Sequence, residues 1–308
     1  MKTKPKQSKT LITIITIATT LALIFLVYTQ SDIVDLIPVD LEFDGTQALQ
    51  NVEYQTSLGP RTPGSSAHAE TASWIEAELT DYGWKTEIQE ELVMGHLIKN
   101  IVAWRGAGEP WIIIGAHYDS RIYADQDAVE ENRVLPVLGA NDGASGVAVL
   151  LELARVLPKD INKRIMLVFF DAEDNGSITG WDWILGSSAF AENLGSDPDL
   201  YPDAVIILDM IGDSNLNIYK EYNSDTKLIR EIWHQAENLG YTDYFIPEYK
   251  YHIYDDHVPF LELGIPAIDI IDFDYPYWHT TNDTLDKVSA ESLQIVGDTI
   301  YHWLMTTH

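Results

Sequence analysis

Trp111-Ile112-Ile113-Ile114-Gly115-Ala116-His117-Tyr118-Asp119-Ser120 is the stretch that decides the fold. The run from Pro110 to Ala116 has no alternation of polar and apolar residues, so it reads as an internal strand buried on both faces. His117 and Asp119 emerge where that strand ends. The pattern recurs twice. Arg164 to Phe170 is a second buried strand and leads into Asp171-Ala172-Glu173-Asp174, and Ala204 to Met210 is a third that carries Asp209. Open α/β sheets place ligands in the crevice outside the carboxyl ends of their strands, where these polar residues collect.

Outward from this centre, apolar spacing predicts helices over 44–58, 65–83, 145–157, 181–194, 227–239 and 291–305. Further strands are expected over 84–93, 98–104, 215–219 and 265–271. Gly59 to Gly64 is a turn-rich loop, and the polar, acidic stretch 121–136 reads as a surface loop. Alternating strands and helices imply a single-domain, three-layer α/β/α sandwich with a mixed, mostly parallel central sheet. That domain is expected to span residues 44–308.

Ahead of it, Thr10 to Ser31 contains no charged residue. At about 1.5 Å per residue, a helix over residues 11–30 spans a bilayer core of about 30 Å. Lys2, Lys4, Lys6 and Lys9 precede it and Asp32, Asp35 and Asp40 follow, which orients the bulk of the chain outside the cytoplasm. The expected organisation is a basic cytoplasmic tail over 1–10, a single transmembrane anchor over 11–30 and a linker over 31–43. A cleaved signal peptide is the competing reading, but no A-x-A-like site follows the apolar run.

Composition excludes several classes. The formal net charge of −29 repels phosphate backbones and sets nucleic-acid binding aside. The chain has no cysteine, which removes disulfides, thiolate metal sites and a Cys nucleophile. A hydrophobic content of 46% over 308 residues allows one large core.

Two more segments bring metal-ligand residue types. Asp142 lies in Asn141-Asp142-Gly143-Ala144-Ser145-Gly146 ahead of a helix, where, taken alone, a helix cap is the better account of it. His279 follows the aromatic cluster Tyr275-Pro276-Tyr277-Trp278. Several carboxylates and imidazoles converging at one sheet edge repel one another unless a cation joins them, which makes a zinc enzyme the natural reading. Asp119 is placed to orient His117 through the ring N–H. Adjacent acids such as Glu173 and Asp174 permit one to bind metal while the other serves as a base.

Taken together, residues 44–305 resemble the zinc aminopeptidases of metallopeptidase family twenty-eight and the related glutaminyl cyclases. Leu58-Gly59-Pro60-Arg61-Thr62-Pro63-Gly64 is similar to that family's opening motif. The resemblance implies zinc ligands at Asp142, Asp174 and His279 and a general base at Glu173. It also implies a possible second site at His117 and Asp209. Trp278 before the last His, the pair Asp255-Asp256 before His257, and Trp183 look like the cyclase branch. There Trp183 and Trp278 would wall the substrate pocket, and Asp209 and Asp255 would hydrogen-bond around the reacting groups. The implied activity is conversion of N-terminal Gln of peptides or proteins to pyroglutamate with release of ammonia, using one zinc ion. The alternatives are a two-zinc aminopeptidase and a non-catalytic binding ectodomain.

Overall fold

The computed structural model of the protein describes residues 42–307. The expected basic tail, the anchor and nearly all of the linker lie outside these residues. Among those described, no helix is long and apolar enough to cross a membrane.

The strands are β1 (Lys85–Val93), β2 (His96–Arg105), β3 (Trp111–His117), β4 (Arg164–Phe170), β5 (Ala204–Asp209), β6 (Ile218–Glu221), β7 (Phe245–Tyr251) and β8 (Ala267–Ile271). Six of them form one sheet in the order β1-β2-β4-β3-β5-β8. β2 is antiparallel to β1 and β4, and every pair from β4 to β8 is parallel. β6 and β7 make a separate parallel pair.

The helices are α1 (Gly45–Ser57), α2 (Ser66–Asp81), α3 (Ala144–Val156), α4 (Leu185–Asn193), α5 (Thr226–Leu239), α6 (Val258–Glu262) and α7 (Ala290–Thr306). Side chains alternate along a strand, so Ile112, Ile114 and Ala116 join one core with α1, α2, α3, α5 and α7. Ile113 joins a second core with Phe190 of α4 and Phe260 of α6 on the opposite face. This two-sided cover is why the strand sequences are continuously apolar.

From β3 the chain crosses through α3 to β4, then returns through α4 past β3 to β5. That reversal opens a crevice at the carboxyl ends of β3 and β5, the position at which open α/β sheets bind ligands.

Three differences from expectation have local causes. The helix expected from Trp181 begins at Leu185. Ile184 takes a left-handed φ of 53°, and its N–H donates to Glu173 O at 3.0 Å, which lays residues 181–184 along the acidic loop. The loop over 121–136 contains a short 3-10 turn, Glu130–Val134. β7 and α6 were not anticipated, because β7 is polar and largely exposed and α6 has only 5 residues.

Candidate active site

The expected metal ligands converge in two sets that share Asp142. His117, Asp142 and Asp209 form one, and Asp142, Asp174 and His279 form the other; within each set the ligand atoms lie within 4.8 Å of one another. His117 Nε2 is 3.2 Å from Asp209 Oδ1 and 3.3 Å from Asp142 Oδ1. His279 Nε2 is 2.7 Å from Asp174 Oδ1 and 3.8 Å from Asp142 Oδ2. All five residues are buried.

Asp142 does not cap α3. Gly143 occupies the cap position, and no side chain caps that helix. Gly143 has φ 97°, and a Cβ there would lie 2.5 Å from Asp119 O, so the turn that aims Asp142 into the crevice requires glycine. Asp142 Oδ2 and Asp174 Oδ2 are buried without a hydrogen-bond partner. Unpartnered carboxylate oxygens beside an imidazole nitrogen fit a divalent cation, and an Asp/Asp/His set suits zinc.

Other side chains hold these in place. Asp119 Oδ1 lies 3.4 Å from His117 Nδ1 and accepts the Glu173 N–H at 3.0 Å. Asp283 accepts the N–H groups of Asn141 and Asp142 at 2.9 and 3.1 Å, and the Tyr275 hydroxyl at 2.6 Å. Asp125 Oδ1 faces His279 Nδ1 at 3.5 Å while Arg121 grips the same carboxylate at 2.9 and 2.7 Å. Arg61, fully buried in the opening motif, donates to Tyr118 O, Leu138 O and Gly139 O and so ties the loop after β3 to the loop before α3.

Sequence reasoning gave no role to Asp125, Asp283, Arg61 or Arg121. Each also acts on a partner remote in the chain, Asp125 on His279, Asp283 on Asn141 and Asp142, Arg61 on Leu138 and Gly139, and Arg121 on Asp174, which local sequence does not reveal.

The electrostatics follow from burial and crowding. Burial and then repulsion by Asp255 hold the Glu173 carboxyl well above its usual range. Burial and repulsion by Asp142 raise Asp174 to about 6. Burial raises Asp209 to about 7 against the His117 hydrogen bond. Burial disfavours the charged form of His279, but Asp174 and Asp125 prevail and raise it to about 9. Such mutual repulsion is what a bound cation relieves.

The backbone is strained at the same corners. Ala172, Met210 and His279 have φ of 53°, 46° and 56°. Left-handed backbone in non-glycine residues costs on the order of 1–3 kcal/mol each and clusters where geometry is imposed for function.

Over the carboxylates lies a cavity of about 210 Å³ lined by Glu173, Asp209, Trp183, Asp255, Phe273 and Trp278, among others. The Trp278 ring stacks on His279 at 3.7 Å, and Trp183 lies parallel to His279 at 6.0 Å with Arg121 over its own ring at 5.1 Å. Every residue expected at the site is therefore gathered around one crevice.

A metal-site carboxylate cluster at the switch point of this sheet defines a class of metallopeptidase-like proteins. Residues 100–304 match peptidase family M28, and the chain belongs to that family. It is similar to a glutaminyl-peptide cyclotransferase-like protein of Bos taurus, 27% identical over 77% of this chain and 69% of the relative. The fold is similar to the crystal structure of Bacteroides thetaiotaomicron glutaminyl cyclase bound to N-acetylhistamine. That match has TM-score 0.80 and 32% identity over 87% of this chain and 99% of the other. A Zn-dependent exopeptidase from Parabacteroides distasonis is similar to the same extent, with TM-score 0.81 and 31% identity over 87% and 100%.

Proposed function

We propose that the protein is a zinc-dependent glutaminyl-peptide cyclotransferase. The observation that carries this reading is the small cavity of about 210 Å³ walled by Trp183 and Trp278 directly over the carboxylates. Ligand pockets of ordinary size are about 300–1,000 Å³, so this one suits a single compact residue folded on itself. The similarity to a glutaminyl cyclase of known structure supports the same reading.

Asp142, Asp174 and His279 would hold zinc, which when bound supplies Lewis acidity toward the γ-amide carbonyl of an N-terminal Gln. Trp183 and Trp278 confine the substrate side chain, so that its α-amine is kept next to the carbonyl carbon of its own side-chain amide. Glu173 accepts a proton as that nitrogen forms the new C–N bond. It returns the proton to the amide nitrogen as the old C–N bond breaks and ammonia departs. Asp209 and Asp255 accept hydrogen bonds from the amine and the leaving amide. The anchor over residues 11–30 would hold this domain at the outer face of the cell membrane, with peptide and protein N-termini as partners.

The intact second set, His117, Asp142 and Asp209, favours one other reading, a two-zinc aminopeptidase in which Glu173 takes a proton from water. The Zn-dependent exopeptidase on the same fold supports it. Mass spectrometry of Gln-initiated and Leu-initiated peptides, with zinc content per chain, separates them. Loss of ammonia from Gln peptides, about one zinc per chain and intact Leu peptides are expected. Rapid release of free Leu by a two-zinc protein, without pyroglutamate, overturns the proposal.

A further inference from the structure

β7 ends where the cavity wall begins. Its last residue, Tyr251, is followed directly by His252, Ile253, Tyr254 and Asp255, all of which line the cavity. A peptide whose first residue enters the cavity can therefore leave it along the β6–β7 surface.

That surface carries a row of stacked rings. His252 stacks on Tyr222 at 4.5 Å and 16°, and Tyr222 meets Tyr249 at 5.0 Å and 30°. Tyr222 and Tyr249 are 50% and 42% exposed, so both side chains reach solvent. Isolated exposed aromatics are ordinary; a contiguous row beside a cavity marks a binding surface. Tyr also offers broad contact area at little cost in side-chain freedom.

The row is preset. The Tyr222 N–H donates to Tyr251 O at 2.8 Å, and Asn223 Nδ2 donates to Ile253 O at 2.9 Å. A surface ordered before binding loses less entropy on association.

Beyond the rings, Lys220 Nζ sits 5.8 Å from the Tyr249 ring. No acidic partner binds it among the described residues, whereas neighbouring Lys250 is held by Asp274 at 2.6 Å. In a chain of net charge −29, such a free ammonium is a specific attractor for a carboxylate. Lys220 and Tyr249 also line a groove of about 680 Å³ together with Arg230, His234, Glu231 and Glu237. The three spacings from His252 to Lys220 together cover no more than about five extended residues at roughly 3.3 Å each.

We propose that the track His252–Tyr222–Tyr249–Lys220 receives the substrate residues downstream of the first and selects aromatic side chains followed by an acidic one. This rests on the site being one for peptide N-termini.

The test uses the full-length, zinc-loaded chain and four substrates: Gln-Ala, Gln-Ala-Ala-Ala-Ala, Gln-Tyr-Tyr-Ala-Glu and Gln-Tyr-Tyr-Ala-Lys. The readout is kcat/KM for ammonia release. Gln-Tyr-Tyr-Ala-Glu should exceed the all-Ala pentapeptide by roughly tenfold, the scale of an aromatic pair with its burial. Tyr222→Ala combined with Tyr249→Ala should bring that ratio to within about twofold of one, and Tyr222→Phe should retain it, since the ring carries the stacking. Lys220→Glu should reverse the preference between the Glu-ended and Lys-ended peptides.

A wild-type ratio near one, or a ratio that survives the double Ala variant, overturns the proposal. If no Gln peptide, including Gln-Ala, releases ammonia, the cyclase reading alone has failed. The same ratios are then taken from the matching Leu-initiated peptides by free Leu release, and the double variant decides the track in the same way.

Discussion

The Asp119 carboxylate accepts the backbone N–H of Glu173 at 3.0 Å through Oδ1, the same oxygen that faces His117 Nδ1 at 3.4 Å. Its Oδ2 accepts from Asp174 N and Asn175 Nδ2 at 3.4 and 3.1 Å. One side chain thus fixes an imidazole at the end of β3 and the acidic loop at the end of β4. Asp119→Ala should therefore lower both zinc affinity and turnover by about 10–100-fold, as loss of a ligand-orienting partner does. Zinc titration and steady-state kinetics check this together. Wild-type values for both would show that Asp119 is idle.

Glu173 and Asp174 are adjacent, but only Asp174 contacts His279. Glu173→Gln keeps the shape and removes the proton acceptor, so turnover should fall by about a hundredfold or more while zinc stays bound. His279→Ala should lose zinc, yet keep its circular-dichroism spectrum, because the two cores do not pass through that residue. Elemental analysis reads both variants. Zinc lost from Glu173→Gln and kept by Asp174→Asn would mean that the two acids exchange roles.

Asp125 offers a sharper check on the His279 environment. Its carboxylate is gripped by Arg121 and faces His279 Nδ1. That contact favours the ring orientation in which Nε2 points at Asp174. Asp125→Ala should weaken zinc binding by about tenfold or more. Unchanged zinc affinity would show that Trp183 and Trp278 alone suffice to orient the ring.

The strands that matter most were legible because each is covered on both faces and so reads as an unbroken apolar run, as Ile112 to Ile114 and Ile165 to Phe170 do. β7 was not, since its exposed face and Pro247 give it the composition of a loop. His117, Glu173, Asp174 and Asp209, which gather at the crevice, were legible from their positions at or just past strand ends. Asp142 was ambiguous in sequence, and only the backbone shows that Gly143, not Asp142, takes the cap position. Asp283 was legible in no local pattern, because what it holds, the Asn141 and Asp142 amides, lies 142 and 141 residues away.

Glu221 gives the fold an acid-sensitive point beneath the cavity wall. It accepts the N–H groups of Asn223, Ser224 and Ile253 at 2.8, 2.7 and 2.9 Å, and His257 Nε2 lies 3.4 Å away. Burial opposes its charge, but His257 and these amides prevail and lower it to about 2. A carboxyl depressed in the folded state contributes stability that is full above its unfolded value, about 4.3, and lost as pH falls through the folded one. Wild type should therefore exceed Glu221→Gln in urea midpoint at neutral pH. The gap should close between about pH 4.5 and pH 2. A gap that persists at the acid end would remove Glu221 as its source.

The expected anchor can be separated from the domain at a defined place. The uncharged segment from Thr10 to Ser31 should keep the full chain in the membrane fraction. The domain begins to pack at Phe43, which is 5% exposed and lies against α7 at Gly297, where a Cβ would sit 2.0 Å from the Phe43 ring. Gln294 Nε2 donates to Phe43 O at 2.9 Å, and Asp44 caps α1 through Thr46 N at 2.8 Å. Deleting residues 1–31 should therefore release a soluble, active protein with unchanged urea midpoint. Deleting residues 1–44 should cost about 4–6 kcal/mol, the scale of a buried Phe together with a helix cap. Fractionation and urea titration of the two truncations read the two outcomes. A 1–31 deletion that still sediments with membranes would place the attachment in the domain itself.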